Sequence, residues 1–248
     1  MAELITEIQN HPYDIRLAED NPLFNFLTCA AAYAREFPED LKSYIRNGDR
    51  QSLAEGIAKL VPRYEIDVRT TIAVTKIDGG IKVNALPQSV TAFINHRIRR
   101  GSTWSEVTRR TEELASKVAQ KHGLELMAYP DNGTYPRSLI TLELQDEKNP
   151  SAFTPIRTDI STPYRLIAGT TRAVFGDEFI VTSGLNMGNT DMKWYANVTD
   201  NIFRYAPMPA ERASLHGLNE CVDMKGHISM VEWFFTFLRN ADETEFDL

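Results

Sequence analysis

Residues 68–98 read VRTTIAVTKIDGGIKVNALPQSVTAFINHRI, and they contain the clearest strand pattern in the chain. Apolar and polar side chains alternate here with the two-residue period of a β-strand. The turn residues Asp78-Gly79-Gly80 predict a hairpin whose second strand passes through Ile81 and Val83. A further strand is predicted over residues 89–98, whose apolar face is formed by Val90, Ala92, Ile94 and Ile98.

Helices are predicted on both sides of these strands. The residues before position 62 show helical spacing of their apolar side chains. Thr103-x-x-Glu106 is a capping box that starts a helix, Gly123 ends it, and a fourth strand is predicted over residues 124–129. This order of elements is typical of an α+β fold with helices on one face of a sheet.

The segment beyond position 150 has an α/β pattern. A helix is predicted from Thr162 to Val174, and a strand over residues 178–182. A final helix is predicted over residues 224–238, with an inward face formed by Ile228, Val231, Phe235 and Leu238.

Composition excludes several classes of protein. The 248 residues include 27 Lys and Arg against 34 Asp and Glu, and the resulting net charge of −7 argues against nucleic-acid binding. The longest apolar stretches, residues 23–32 and 231–238, are shorter than the roughly 20 residues that span a bilayer, so no membrane segment is predicted. Cys29 and Cys221 have no metal-site spacing.

Three groups of residues can carry chemistry. His216 precedes Gly217 in a polar loop and can bind an ion, although one histidine cannot hold a catalytic zinc. Gly188 lies in a loop after a predicted strand, where backbone amides can bind a carboxylate; an ordinary turn explains it equally well. Asn84 and Arg97 are predicted on neighbouring strands, and Arg97 is either a carboxylate-binding residue or an ordinary surface arginine. His96 is interpreted as a structural histidine.

The chain resembles the family of zinc-dependent carboxypeptidase S and aminoacylase metallopeptidases, in particular its fungal carboxypeptidase S-like members. The resemblance rests on five strings and their order, namely IKVNALP with NHRI after it (residues 81–87 and 95–98), GNTD (188–191), NIFRY (201–205) and HGLNE (216–220). It implies a helical lead-in over residues 1–66, a ferredoxin-like lid or dimerisation domain of four antiparallel strands and two helices over 67–147, and the C-terminal part of an α/β zinc-peptidase catalytic domain over 148–248.

The resemblance also implies roles for single residues. His216 matches a zinc ligand of the family, whose complete site holds two zinc ions. Asn84 and Arg97 match lid residues that hold the substrate carboxylate at the active site of the facing subunit, and Gly188 matches a glycine whose amide contacts substrate. The implied substrate is a peptide or an N-acyl amino acid, and the implied assembly is a homodimer formed through the lid domain.

Family members carry three further motifs ahead of the lid, and none of them precedes residue 67 in this sequence. They are the His-x-Asp metal motif, the Glu-Glu pair that supplies the general base, and the Gly-Gly-His motif. We therefore expect the sequence to be the C-terminal portion of such an enzyme, without catalytic residues of its own and inactive as an isolated chain. The alternatives are a non-catalytic dimerisation or binding module and a split enzyme completed by a separate N-terminal half. The resemblance implies a vacuolar or secreted parent protein.

Overall fold

The computed structural model describes residues 1–130, 139–145, 154–156, 162–185, 191–208 and 217–244. The chain forms two compact units. The first consists of residues 1–19 and 39–151, and the second of residues 20–38 and 152–248. Each unit draws on two separate stretches of the chain, so neither is continuous in sequence.

The first unit contains five of the α-helices, which are Ala2–Asn10 (α1), Glu39–Asn47 (α3), Arg50–Leu60 (α4), Glu65–Val68 (α5) and Trp104–His122 (α6). A 3₁₀ turn, Pro62–Tyr64, joins α4 to α5. The predicted limits of α6 are confirmed. Thr103 and Glu106 form both hydrogen bonds of the capping box, and Gly123 ends the helix in the left-handed conformation, with φ of 61°.

The first two strands, Thr71–Gly79 (β1) and Val90–Arg97 (β2), form an antiparallel pair. Their register runs from Thr71 opposite Arg97 to Gly79 opposite Val90, with an irregularity between Val74 and Lys76. The predicted strand after Asp78-Gly79-Gly80 is wrong. Residues 80–89 are a connecting loop in which Ile81 and Val83 are fully exposed. Pairing with residues 90–97 gives β1 a long ladder, whereas a strand through Ile81 and Val83 would end at Pro87, which has no N–H to donate.

The other two strands, Glu125–Ala128 (β3) and Leu139–Leu142 (β4), form a separate parallel pair. The expected single sheet of four antiparallel strands is therefore not what the described residues form. Both pairs pack against one core of α1 and α6 side chains, which consists of Leu4, Ile8, Leu114, Ala115 and Val118. Ile72 and Ile94 reach this core from the first pair, and Leu126 and Ile140 reach it from the second.

The second unit contains the helices Pro22–Tyr33 (α2), Thr162–Phe175 (α7) and Met224–Asp242 (α8), and the 3₁₀ turn Asp191–Trp194. Asn21 caps α2 by accepting a hydrogen bond from the backbone N–H of Leu23. Trp233 of α8 is the centre of packing against α7. Its ring is 2% exposed and its Nε1 donates to Oγ1 of Thr171 at 3.1 Å.

Two sequence predictions for the second unit are wrong. The expected inward face of α8 is exposed, since Ile228, Val231, Phe235 and Leu238 are each 58–65% exposed. The helix instead buries the face of Trp233, because the polar groups on that face find partners on α7, such as Asn240 Nδ2 donating to Thr170 Oγ1. Residues 178–182 form no strand, since no described segment pairs with them.

No helix among the described residues is both long enough and apolar enough to cross a membrane.

Candidate functional site

Asn84 and Arg97 both belong to the β1–β2 hairpin of the first unit. Asn84 lies in the loop of residues 80–89 and is exposed. Arg97 is the last residue of β2, opposite Thr71, and is also exposed. Both side chains are therefore accessible to solvent.

The two residues are anchored at opposite ends of the hairpin. The loop that carries Asn84 joins Gly79 to Val90, whereas Arg97 pairs with the first residue of β1. At roughly 3.3 Å per residue, β2 separates its two ends by about 23 Å. A shared role on one carboxylate therefore depends on the path of the loop and on the reach of the long arginine side chain, and it stays a prediction.

Gly188 and His216 lie outside the described residues, which exclude positions 186–190 and 209–216. Their predicted roles in substrate and zinc binding remain predictions. The described residue Glu220, four positions after His216, follows a backbone turn in which Asn219 adopts a positive φ of 60°.

The described residues do not fit a zinc site by themselves. Within these ranges, no three His, Cys, Asp or Glu side chains come together to hold a metal ion. His96 is partly buried, and burial lowers the pKa of its imidazole. Its ring packs edge-on against that of Tyr13, with 6.0 Å between ring centroids. This packing supports its interpretation as a structural histidine.

Sequence reasoning missed a polar cavity of about 180 Å³ in the first unit. Its walls come from residues 13–16, from Thr70, from residues 99–102 and from the first three turns of α6. These segments are distant in sequence, so no local motif marks them. The signal that the sequence does carry is a pair of arginines at positions 99–100 and a second pair at 109–110.

Comparison with known families gives a match over a range that includes the β1–β2 hairpin and α6. The model of the peptidase dimerisation domain matches residues 1–123. Carboxypeptidase S of Saccharomyces cerevisiae is 34% identical over 260 residues, which cover 98% of this chain and 44% of that protein. An uncharacterized carboxypeptidase of Schizosaccharomyces pombe is 30% identical over a match that covers 99% of this chain and 42% of that protein.

A more distant relative is an N-fatty-acyl-amino acid synthase/hydrolase of Bos taurus, which is 28% identical over 225 residues, or 88% of this chain and 40% of that protein. No solved structure matches the chain at a significant level. The chain thus spans less than half the length of the curated relatives it matches. The similarity to carboxypeptidases over nearly the whole chain, together with the dimerisation domain, shows that the chain belongs to the carboxypeptidase S-like M20 peptidase family.

Proposed function

We propose that this chain supplies the dimerisation domain and an adjoining part of the catalytic domain of a zinc-dependent hydrolase. The reaction is cleavage of an amide bond next to a free carboxylate, in a peptide or an N-acyl amino acid. The observation that carries the proposal is the 34% identity to carboxypeptidase S over 98% of the chain. The similarity to an N-fatty-acyl-amino acid synthase/hydrolase supports the acyl-amide alternative for the substrate.

Substrate selection is assigned to three donors of this chain. Arg97 offers a planar guanidinium that can form two parallel hydrogen bonds to a carboxylate. The amide of Asn84 adds a neutral donor, and the backbone N–H of Gly188 adds another. The exposure of Asn84 and Arg97 supports this role, because both groups can contact a ligand that a second copy of the chain presents. The working unit is therefore a homodimer formed through the dimerisation domain.

The metal is assigned one ligand from this chain, His216. A catalytic zinc site needs about three protein ligands, and bound zinc supplies a polarised carbonyl and an activated water. The family motifs that carry the other ligands and the general base lie ahead of the lid, and none of them precedes residue 67 in this chain. We therefore assign this chain the selection of the substrate carboxylate and no catalytic residue. A vacuolar or secreted location for the parent protein follows from the resemblance alone.

The carboxylate-binding role is tested by steady-state kinetics in an active longer protein that contains this sequence. Arg97→Ala is expected to raise KM on the order of 10- to 100-fold, because a charge-assisted hydrogen bond to the substrate is lost. Asn84→Ala is expected to have a smaller effect in the same direction. Arg46→Ala is the matched control, since Arg46 is an exposed arginine of α3 that pairs with Glu39. Unchanged KM in the Arg97 variant would remove the role.

The Arg97→Ala, Asn84→Ala double variant separates a shared site from two sites. If both side chains hold the same carboxylate, the loss in kcat/KM of the double variant is smaller than the product of the two single losses. If they contact different parts of the substrate, the two losses multiply. The distinction matters because the two residues are anchored at opposite ends of the hairpin.

A non-catalytic dimerisation module is the second candidate function, and the match of residues 1–123 to the dimerisation domain favours it. Both candidates expect the purified 248-residue chain to show no hydrolysis of a dipeptide or an N-acyl amino acid with added zinc. Measurable hydrolysis that His216→Ala abolishes would contradict both. Kinetic loss in the Arg97 variant of the longer protein favours the enzyme. The binding module by itself gives no reason for the GNTD and HGLNE strings at 188–191 and 216–220.

A further inference from the structure

The cavity in the first unit is lined by four arginines, Arg16, Arg99, Arg109 and Arg110. Three carboxylates also line it, but each has a partner of its own. Asp14 pairs with Arg16 at 3.5 Å and Glu113 pairs with Arg109 at 2.7 Å. Glu106 accepts the backbone N–H of Thr103 within the capping box. The guanidinium groups of Arg99 and Arg110 hydrogen-bond to neutral groups instead.

Arg99 is a buried charge with neutral partners. The residue is only 7% exposed. Its guanidinium donates to the carbonyl of Arg100, and also to Oγ of Ser102 at 2.8 Å. In the described part of the chain, no carboxylate oxygen lies within 4.0 Å of it. Buried charges in proteins are normally paired, because desolvation of an unpaired ion is costly. Burial lowers the pKa of Arg99 and the nearby positive charge of Arg16 lowers it further, whereas the negative charge of Glu106 opposes this shift.

Arg110 has the same kind of surroundings. Its Nη2 donates to the carbonyls of His11 at 2.7 Å and Pro12 at 2.9 Å, and the guanidinium stacks over the ring of Tyr13 at 4.7 Å. Its Nε is buried without a hydrogen-bond partner among the described residues. These contacts fix the position of the guanidinium and leave its charge without a carboxylate counterpart in that part of the chain.

We propose that this cavity is a binding site for a small oxyanion, a carboxylate or a phosphate group, held between Arg99 and Arg110. Guanidinium groups prefer oxyanions because their N–H groups match two oxygen atoms at once. The volume of about 180 Å³ is well above the roughly 10–15 Å³ that one water molecule needs, which leaves room for inorganic phosphate or a short carboxylate. Neither Asn84 nor Arg97 lines the cavity, so the site is distinct from the carboxylate-binding residues proposed above and does not depend on that proposal.

The test is isothermal titration of the purified 248-residue chain with inorganic phosphate and, separately, with succinate. Ionic strength is held constant with potassium chloride, because charge interactions weaken with salt. We expect saturable binding in the millimolar range or tighter, with a rise in melting temperature. Binding of phosphate alone identifies a phosphate-selective site, whereas binding of both identifies a general oxyanion site. The proposal is wrong if neither anion binds saturably up to roughly 30 mM.

Variants of the chain test whether the anion binds in this cavity. Arg110→Gln and Arg99→Gln are each expected to weaken binding at least about tenfold, through loss of a charge-assisted pair. Arg46→Gln, which changes an exposed arginine outside the cavity, is expected to bind as the unchanged chain does. Equal binding in all of these proteins would place the anion elsewhere and overturn the proposal.

A charge-adding variant covers the case in which Arg99→Gln does not fold. Ser102→Asp places a carboxylate next to Nη2 of Arg99, just before the N-terminus of α6, where negative charge is favourable. We expect a folded chain with a raised melting temperature and no phosphate binding, since the new carboxylate takes the place of the anion. Phosphate binding of unchanged strength in this variant would contradict the proposal.

Discussion

Asp67, in the short helix α5, is a buried carboxylate whose protonation is coupled to folding. Burial raises the pKa of its side chain to about 6, although the positive charge of Arg63 opposes this rise. The carboxyl group has its ordinary pKa, near 3.8, in the unfolded chain. The folded state therefore binds a proton more tightly than the unfolded state does, and ionisation of Asp67 at neutral pH costs stability.

We predict that Asp67→Asn removes this pH dependence. The contribution of Asp67 is most favourable below pH 3.8 and is lost as the pH rises through about 6. The variant should accordingly be more stable than the unchanged chain at pH 5, and by a larger margin at pH 8, where the gain is at most about 3 kcal/mol. Denaturant unfolding at pH 5 and pH 8 measures the difference. Asp200→Asn, at an exposed position, is the control, and an equal gain at both pH values would contradict the explanation.

At the scale of single elements, helix α8 has two apolar stripes, and only one of them is buried. The exposed stripe consists of Ile228, Val231, Phe235 and Leu238. The buried stripe is centred on Trp233 and also includes polar groups. Trp233 packs parallel to Phe237, with ring centroids 4.9 Å apart, and edge-on against Tyr205 at 5.3 Å. Its indole N–H donates to Thr171, so this stripe buries a large aromatic ring whose one polar group is hydrogen-bonded.

The two faces of α8 give a matched pair of substitutions. Trp233→Ala should lower the free energy of unfolding by about 3–5 kcal/mol, because it removes a fully buried ring and a hydrogen bond. Phe235→Ala, two residues further along the same helix, should lower it by less than about 1 kcal/mol. Denaturant unfolding of both variants of the 248-residue chain checks the order. A larger loss in the Phe235 variant would mean that α8 packs through its other face.

At the scale of the whole molecule, the exposed stripe of α8 is unusual for an isolated chain. Ile228, Val231, Phe235 and Leu238 form a run of neighbouring apolar side chains that are each more than half exposed. Contiguous apolar surface of this kind is normally covered by another part of a protein or by a partner. The chain also spans less than half the length of its curated relatives.

We predict that the purified 248-residue chain self-associates through this stripe. Sedimentation velocity should show species larger than a dimer, and the double variant Val231→Glu, Leu238→Glu should remove them, because charges on both turns oppose burial of the stripe. A dimer formed through the first unit should persist in that variant. Lys117→Glu, an exposed change on α6, is the control, and larger species that survive the α8 substitutions would contradict the prediction.

Local signals gave reliable predictions wherever a single segment fixes its own conformation. The capping box of Thr103 and Glu106 and the C-terminal Gly123 define α6 through bonds within a few residues. The alternation of apolar and polar side chains predicts the strand over 90–97. The family resemblance rests on short strings of residues in a fixed order. The candidate carboxylate-binding residues Asn84 and Arg97 could be named from sequence for the same reason, although their placement at opposite ends of the hairpin could not.

Packing between segments that are distant in the sequence decided the features that the sequence did not predict. The partner of β1, the division of four strands into two pairs and the buried face of α8 each depend on which surfaces meet, and several pairings satisfy the same local pattern. The arginine-lined cavity is the plainest case, because Arg16, Arg99 and Arg110 come from three segments whose proximity no short motif encodes. Hydrogen bonds within a segment can be predicted from the residues of that segment alone. Burial cannot, because it depends on which other segments pack against it in the folded chain.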